Sequence, residues 1–115
     1  MKKLSLILLI LIFPTSSFAA NIWCTGTVSN IYIDSTKNVM IKGSWRNEYT
    51  RICRTDGAEG IDTVTCSLWV SLVTTAMTNN KTVTLMYDDQ NGALTCETLL
   101  SYTRSSQPYY VMLNQ

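Results

Sequence analysis

The chain contains no histidine. That removes the commonest general base and metal ligand, and with it any Ser–His–Asp or Cys–His device within one chain. Charge is also scarce, at 15% of residues. Nine basic residues face eight acidic ones, so there is no basic footprint for nucleic acid and no polybasic patch for anionic lipid. The four cysteines include no C-x-x-C spacing, which argues against a zinc site. The carboxylates offer no catalytic pair. Asp88 and Asp89 are adjacent, so an extended strand would point them to opposite faces, and Glu48, Glu59 and Asp62 fall in expected loops without partners. No metal, no cofactor and no enzymatic activity are expected.

What is present begins with an export signal. Lys2 and Lys3 precede an apolar run over residues 4–13, too short to span a bilayer as a stable helix. Pro14 and the small-x-small stretch Ser17-Phe18-Ala19 follow. The reading is a signal peptide over residues 1–19 and one domain over residues 20–115, with an uncleaved anchor as the competing reading. Removal of Lys2 and Lys3 leaves seven basic residues against eight acidic, a net charge close to −1. The mature protein is expected in the periplasm or outside the cell, without a membrane span.

A domain of that size builds only a marginal core. Cys24, Cys53, Cys66 and Cys96 answer this as two disulfides. Three pairings exist. The favoured one joins Cys53 to Cys66 around the Gly57–Gly60 turn and Cys24 to Cys96 across a long loop. The second bridge is worth about 4 kcal/mol in the chain-entropy picture.

Residues 62–80 carry the only clear helical period. Apolar pairs recur every fourth residue at Leu68/Trp69, Leu72/Val73 and Ala76/Met77. Asp62, Thr63 or Thr65 suits the N-cap, and Asn79 and Asn80 suit a left-handed end. The helix has no charged residue, and its outward Ser67, Ser71, Thr74, Thr75 and Thr78 suit a buried oligomer interface or a merely neutral surface. Strands are expected over residues 23–33, 39–45, 51–54, 82–87, 93–100 and 109–113, with Gly26 at a bulge and Asn91-Gly92 at a hairpin turn. The fold class is therefore mainly β with one α-helix: a small, disulfide-stapled barrel of five or six strands. The helix plugs one end, as in the oligonucleotide/oligosaccharide-binding (OB) arrangement. An open sheet crossed by the helix is the alternative.

Binding is favoured by three tryptophans and six tyrosines. Trp45 beside Arg46 and Asn47 would offer a ring for a sugar's C–H face with hydroxyl partners around it, or else it closes the barrel end.

From Gly43 through the cysteine loop and helix to Val83-x-Leu85-x-Tyr87, the order of elements resembles the receptor-binding B subunits of the subtilase-cytotoxin and typhoid-toxin type. Thr25-Gly26-Thr27-Val28 is similar to their early Ser-Gly-Val-Val strand, and the likeness covers residues 25–87. It implies an exported OB-type barrel that forms ring pentamers, binds sialylated glycans and partners a toxin A subunit. It implies sugar-contacting hydroxyls at Thr25 and Tyr87; in the binding reading, Trp45 or Arg46 would line the pocket beside them. Met40 stands where that family has a cysteine, so one disulfide must be wired differently, and threonine replaces the family's serine at Thr25. The chain also resembles a group of small exported bacterial proteins of unknown function that begin near WCTGTVSN and end near PYYVMLN, a likeness that implies no activity. The alternative function is a monomeric periplasmic structural or inhibitory protein that binds another protein through the sheet edge near residues 109–113.

Overall fold

A computed structural model describes residues 20–89 and 95–115. The expected signal peptide and the Asn91-Gly92 turn lie outside them. Seven elements follow in order: β1 (Ala20–Gly26), β2 (Val28–Ile33), β3 (Asn38–Gly43), β4 (Tyr49–Arg54), α1 (Thr63–Thr78), β5 (Val83–Asp89) and β6 (Tyr110–Leu113). All ladders between them are antiparallel, and they form two three-stranded sheets ordered β1–β5–β6 and β2–β3–β4.

The expected strand over residues 23–33 is divided at Thr27, and its halves enter different sheets. Ser44 bridges the break: its hydroxyl accepts from the Thr27 N–H at 3.0 Å, and its own N–H donates to the Thr27 carbonyl at 2.8 Å. Gly26 makes this approach possible, since a methyl there would overlap the Ser44 hydroxyl. The fold is mainly β with one helix, as expected, but the barrel is not closed. Among the described residues no ladder joins the two sheets, which are continuous only through the bent β1–β2 run; the isolated parallel bridge between Thr50 and Tyr102 ties β4 to the loop before β6.

Two further strand boundaries differ. The strand expected to reach Trp45 ends at Gly43, where a turn closed by the Arg46 N–H on the Gly43 carbonyl folds the chain back. The strand expected over residues 93–100 is absent from residue 95 onward; a turn closed by the Thr98 N–H on the Thr95 carbonyl carries Cys96 instead. Thr95 and Thr98 hydroxyls bond back to this turn, which competes with a ladder for the same backbone groups.

Helix α1 starts at Asp62, whose carboxylate accepts the Thr65 N–H at 2.6 Å. It ends with Asn80 in the left-handed region and the Lys81 N–H on the Ala76 carbonyl, a Schellman closure. Cys66, Trp69, Val73 and Ala76 form the buried stripe, at helical spacing. Leu68, grouped with Trp69 by period alone, is 60% exposed. The stripe packs on Val39, Ile41, Ile52, Val83, Leu85 and Tyr87 from both sheets. Disulfides join Cys53 to Cys66 and Cys24 to Cys96, which is the favoured pairing. The first pins α1 to β4, and the second pins β1 to the turn before Leu99.

Candidate functional site

The register of β1–β5–β6 sorts its side chains. Trp23 pairs with Met86 and Met86 with Tyr110; Thr25 pairs with Thr84 and Thr84 with Met112. Partners across an antiparallel ladder share a face, so these residues and Asn21 form one surface. It points away from the core, which takes Cys24, Val83, Leu85 and Val111 from the same strands.

Side-chain bonds hold this surface rigid. The Trp23 indole N–H donates to the Tyr110 hydroxyl at 2.9 Å, while the ring is 56% exposed. The Thr25 and Thr84 hydroxyls are 2.8 Å apart, and the Asn114 amide donates to Thr84 and Thr82 at 2.9 and 3.0 Å. On the same face a cavity of about 260 Å³ is lined by Asn21, Met86, Asp88 and Tyr109; Trp23 is not one of its lining residues but is the cross-strand neighbour of Met86. A fixed indole next to a carboxamide, a carboxylate and hydroxyls suits a pyranose. The ring packs on C–H groups and the polar side chains take hydroxyls.

Of the residues expected in a sugar site, only Thr25 lies here. Tyr87 pairs with Ile22 and stands three residues from Thr84, so it leaves β5 on the opposite face. It is fully buried, and its phenol oxygen has no hydrogen-bond partner among the described residues. Burial raises its pKa, against a smaller pull downward from Arg46. Thr25 and Tyr87 therefore do not line one pocket, and the Tyr87 hydroxyl does not reach solvent.

Arg46 is near Tyr87 but is committed to structure. Its guanidinium donates to the Leu99 carbonyl, to the Thr50 hydroxyl at 2.5 Å and to the Leu100 carbonyl at 3.1 Å. It clamps the 99–100 segment to β4. Burial lowers its pKa, while Tyr87 and Glu48 act the other way. Trp45 lies across Gly43 and Gly26, where added methyls would strike its ring, so it closes the end between the sheets.

The helix residues Ser67, Ser71, Thr74, Thr75 and Thr78 are all exposed, together with Val64 and Leu68. Three of the hydroxyls bond back to helix carbonyls: Ser67 to Thr63, Thr74 to Val70 and Thr78 to Thr74. Among the described residues, no three histidine, cysteine or acidic side chains are grouped to hold a metal, and no helix is long and apolar enough to cross a membrane.

Sequence reasoning passed over Trp23, Met86, Tyr109 and Tyr110 as site residues. One signal was available: once Cys24 faces inward as a disulfide, period two turns Trp23 outward beside Thr25.

The fold and this surface define a class, a small disulfide-stapled β protein with an open aromatic sheet face. Comparison with family models, curated proteins and solved structures returned no match.

Proposed function

We propose that the mature chain is an exported, non-catalytic binding module that recognises a glycan through the outer face of β1–β5–β6. One observation carries the reading: Trp23 is more than half exposed yet pinned by Tyr110, on the same face as a cavity lined by Asn21 and Asp88. A ring that is open to water and already fixed in place is available to a ligand, and its immobilisation lowers the entropy lost on binding. The two disulfides support an oxidising compartment. The absence of histidine supports binding without catalysis.

The B-subunit reading goes one step further, to a ring whose subunits meet through α1. The uncharged helix face, with Val64 and Leu68 exposed among serines and threonines, supports it. A toxin A subunit is the partner such a ring would carry. Light scattering should give a mass near five protomers, and Ser71→Glu should reduce it; a monomer at all concentrations rules the ring out and leaves the glycan face standing alone.

The second reading is protein binding by edge addition. Strand β6 is an edge of its sheet, only four residues long, with Met112 and Tyr109 exposed. A glycan array separates the two. Glycan binding by the wild type that Trp23→Ala weakens at least about tenfold, with near-ultraviolet dichroism otherwise native, supports the first. Binding that Trp23→Ala leaves unchanged contradicts it.

A further inference from the structure

The outer side of β2–β3–β4 carries a second aromatic group, far from Trp23 in the ladder pattern. Tyr32 meets Tyr49 edge-on with centroids 5.0 Å apart, and Tyr49 meets Tyr102 at 6.0 Å with the rings tilted by 35°. Lys42, the cross-strand partner of Tyr49, places its ammonium 5.9 Å from that ring's centroid. Tyr49 is thus enclosed as the support. Tyr32 and Tyr102 are the rings left open, and Tyr102 is 48% exposed.

Tyr102 is held there by force of backbone. Its φ is +56°, a left-handed conformation uncommon for a residue with a bulky side chain. Its N–H donates to the Tyr49 carbonyl at 2.9 Å, and its carbonyl accepts from the Ser105 hydroxyl at 2.6 Å. Ser105 is itself buried and takes the Arg51 N–H at 2.8 Å. A residue in a strained conformation, locked by Tyr49 and by a Ser105 that is itself buried, with its ring turned to solvent, marks a position suited to contact. Next to it is a cavity of about 460 Å³, larger than the one lined by Asn21 and Asp88, bounded by Glu48 and residues 99–104.

We propose that this cavity, with Tyr102 as its wall, is a second carbohydrate subsite, for an uncharged saccharide. The lining chemistry selects that class. Glu48 and Arg104 are of opposite sign, so no net field favours an anion or a cation. Their donors and acceptors, with the Ser101 and Thr103 hydroxyls, match a polyol, and phenol rings match its C–H face. The inference does not depend on the Trp23 face, and together the two would make one protomer bivalent.

The test uses the full-length, oxidised mature protein on an array of neutral glycans. Glycine adopts φ near +56° freely, so Tyr102→Gly removes the ring without asking the backbone to change. The wild type is expected to bind neutral glycans. Tyr102→Gly is expected to lose at least about tenfold, and Arg104→Ala less, with the thermal midpoint of each unchanged within a few degrees. Neutral-glycan binding that Tyr102→Gly leaves intact overturns the proposal. So does the absence of any neutral-glycan signal in the wild type, or a groove that takes only a proline-rich peptide. Wild-type binding that responds to Tyr102→Gly and not to Trp23→Ala would sustain this subsite and sink the Trp23 reading.

Discussion

The two sheets present their aromatic surfaces by different means. On β1–β5–β6 the surface is the sheet itself: Trp23, Thr25, Thr84, Met86 and Tyr110 stand in register, with side-chain bonds between Trp23 and Tyr110 and between Thr25 and Thr84. On β2–β3–β4 a loop completes the surface. Tyr102 reaches the sheet only because Arg46 clamps residues 99 and 100, Ser105 anchors the backbone, and the Cys24–Cys96 bridge holds the turn before them. The first surface should therefore be as stable as its ladder. The second should be only as stable as the restraints on one loop.

The strongest way to break this comparison is to remove the long-range bridge. Replacing Cys24 and Cys96 together by serine should cost about 4 kcal/mol, seen as a lower denaturant midpoint. Among molecules still folded, hydrogen exchange should speed up over residues 95–105 more than over β5, because β5 keeps both its ladders. Equal protection in the two regions would erase the distinction.

A smaller effect is expected at the seam between the sheets. Gly43→Ala would drive a methyl into the Trp45 ring and should cost about 1–3 kcal/mol in chemical denaturation. Gly60→Ala is a poor control despite open space around it, since Gly60 has φ +92°. Trp23→Ala should leave stability almost untouched while losing glycan affinity by about tenfold, or about 1.4 kcal/mol. Tyr87→Phe should do neither. It removes a buried hydroxyl that has no partner, so stability should hold or rise slightly, and glycan affinity should stay unchanged.

Acid gives the mildest probe, and it acts on the turns flanking β2–β3–β4 and on the Asp62 cap of α1, whose carboxyl is lowered by the Thr65 N–H. Asp56, just after β4, has its pKa lowered to about 2 by the Arg54 guanidinium and by the Ala58 N–H. Asp34, in the β2–β3 turn, is lowered by the Asn38 backbone and amide groups and by Thr36. A carboxyl depressed in the folded state stabilises it above the unfolded value of 3.8 and loses that contribution as pH falls toward the folded value. Melting temperature should therefore drop between pH 3.8 and about 2, and Asp56→Asn should flatten that slope. An identical slope in the variant would remove Asp56 from the account.

Much of this was legible beforehand, for physical reasons. The helix and its Asp62 cap follow from a 3.6-residue period with a capping residue at its start. The disulfide pairing follows from the short loop around Gly57, and β5 follows from alternation. Period alone failed at Leu68, because a helix with no charged residues does not say how wide its buried stripe is. Alternation failed across residues 95–100, where threonine hydroxyls satisfy the backbone locally. The site was half legible. Thr25 is on the proposed face, but Tyr87 was placed beside it by resemblance, and one residue of parity turns it into the core. Tyr102 was not legible at all, since only the folded loop shows that an aromatic residue occupies a left-handed position there.

The three tryptophans give the most direct measurement of the central claim. In a nitrogen-15 spectrum each indole N–H yields its own signal, and Trp23→Phe assigns that of Trp23. Titration with the glycan that binds best on the array should shift the Trp23 signal, while Trp45 and Trp69 stay in place. A shift confined to Trp45, or none in Trp23 at saturation, would contradict recognition through the outer face of β1–β5–β6.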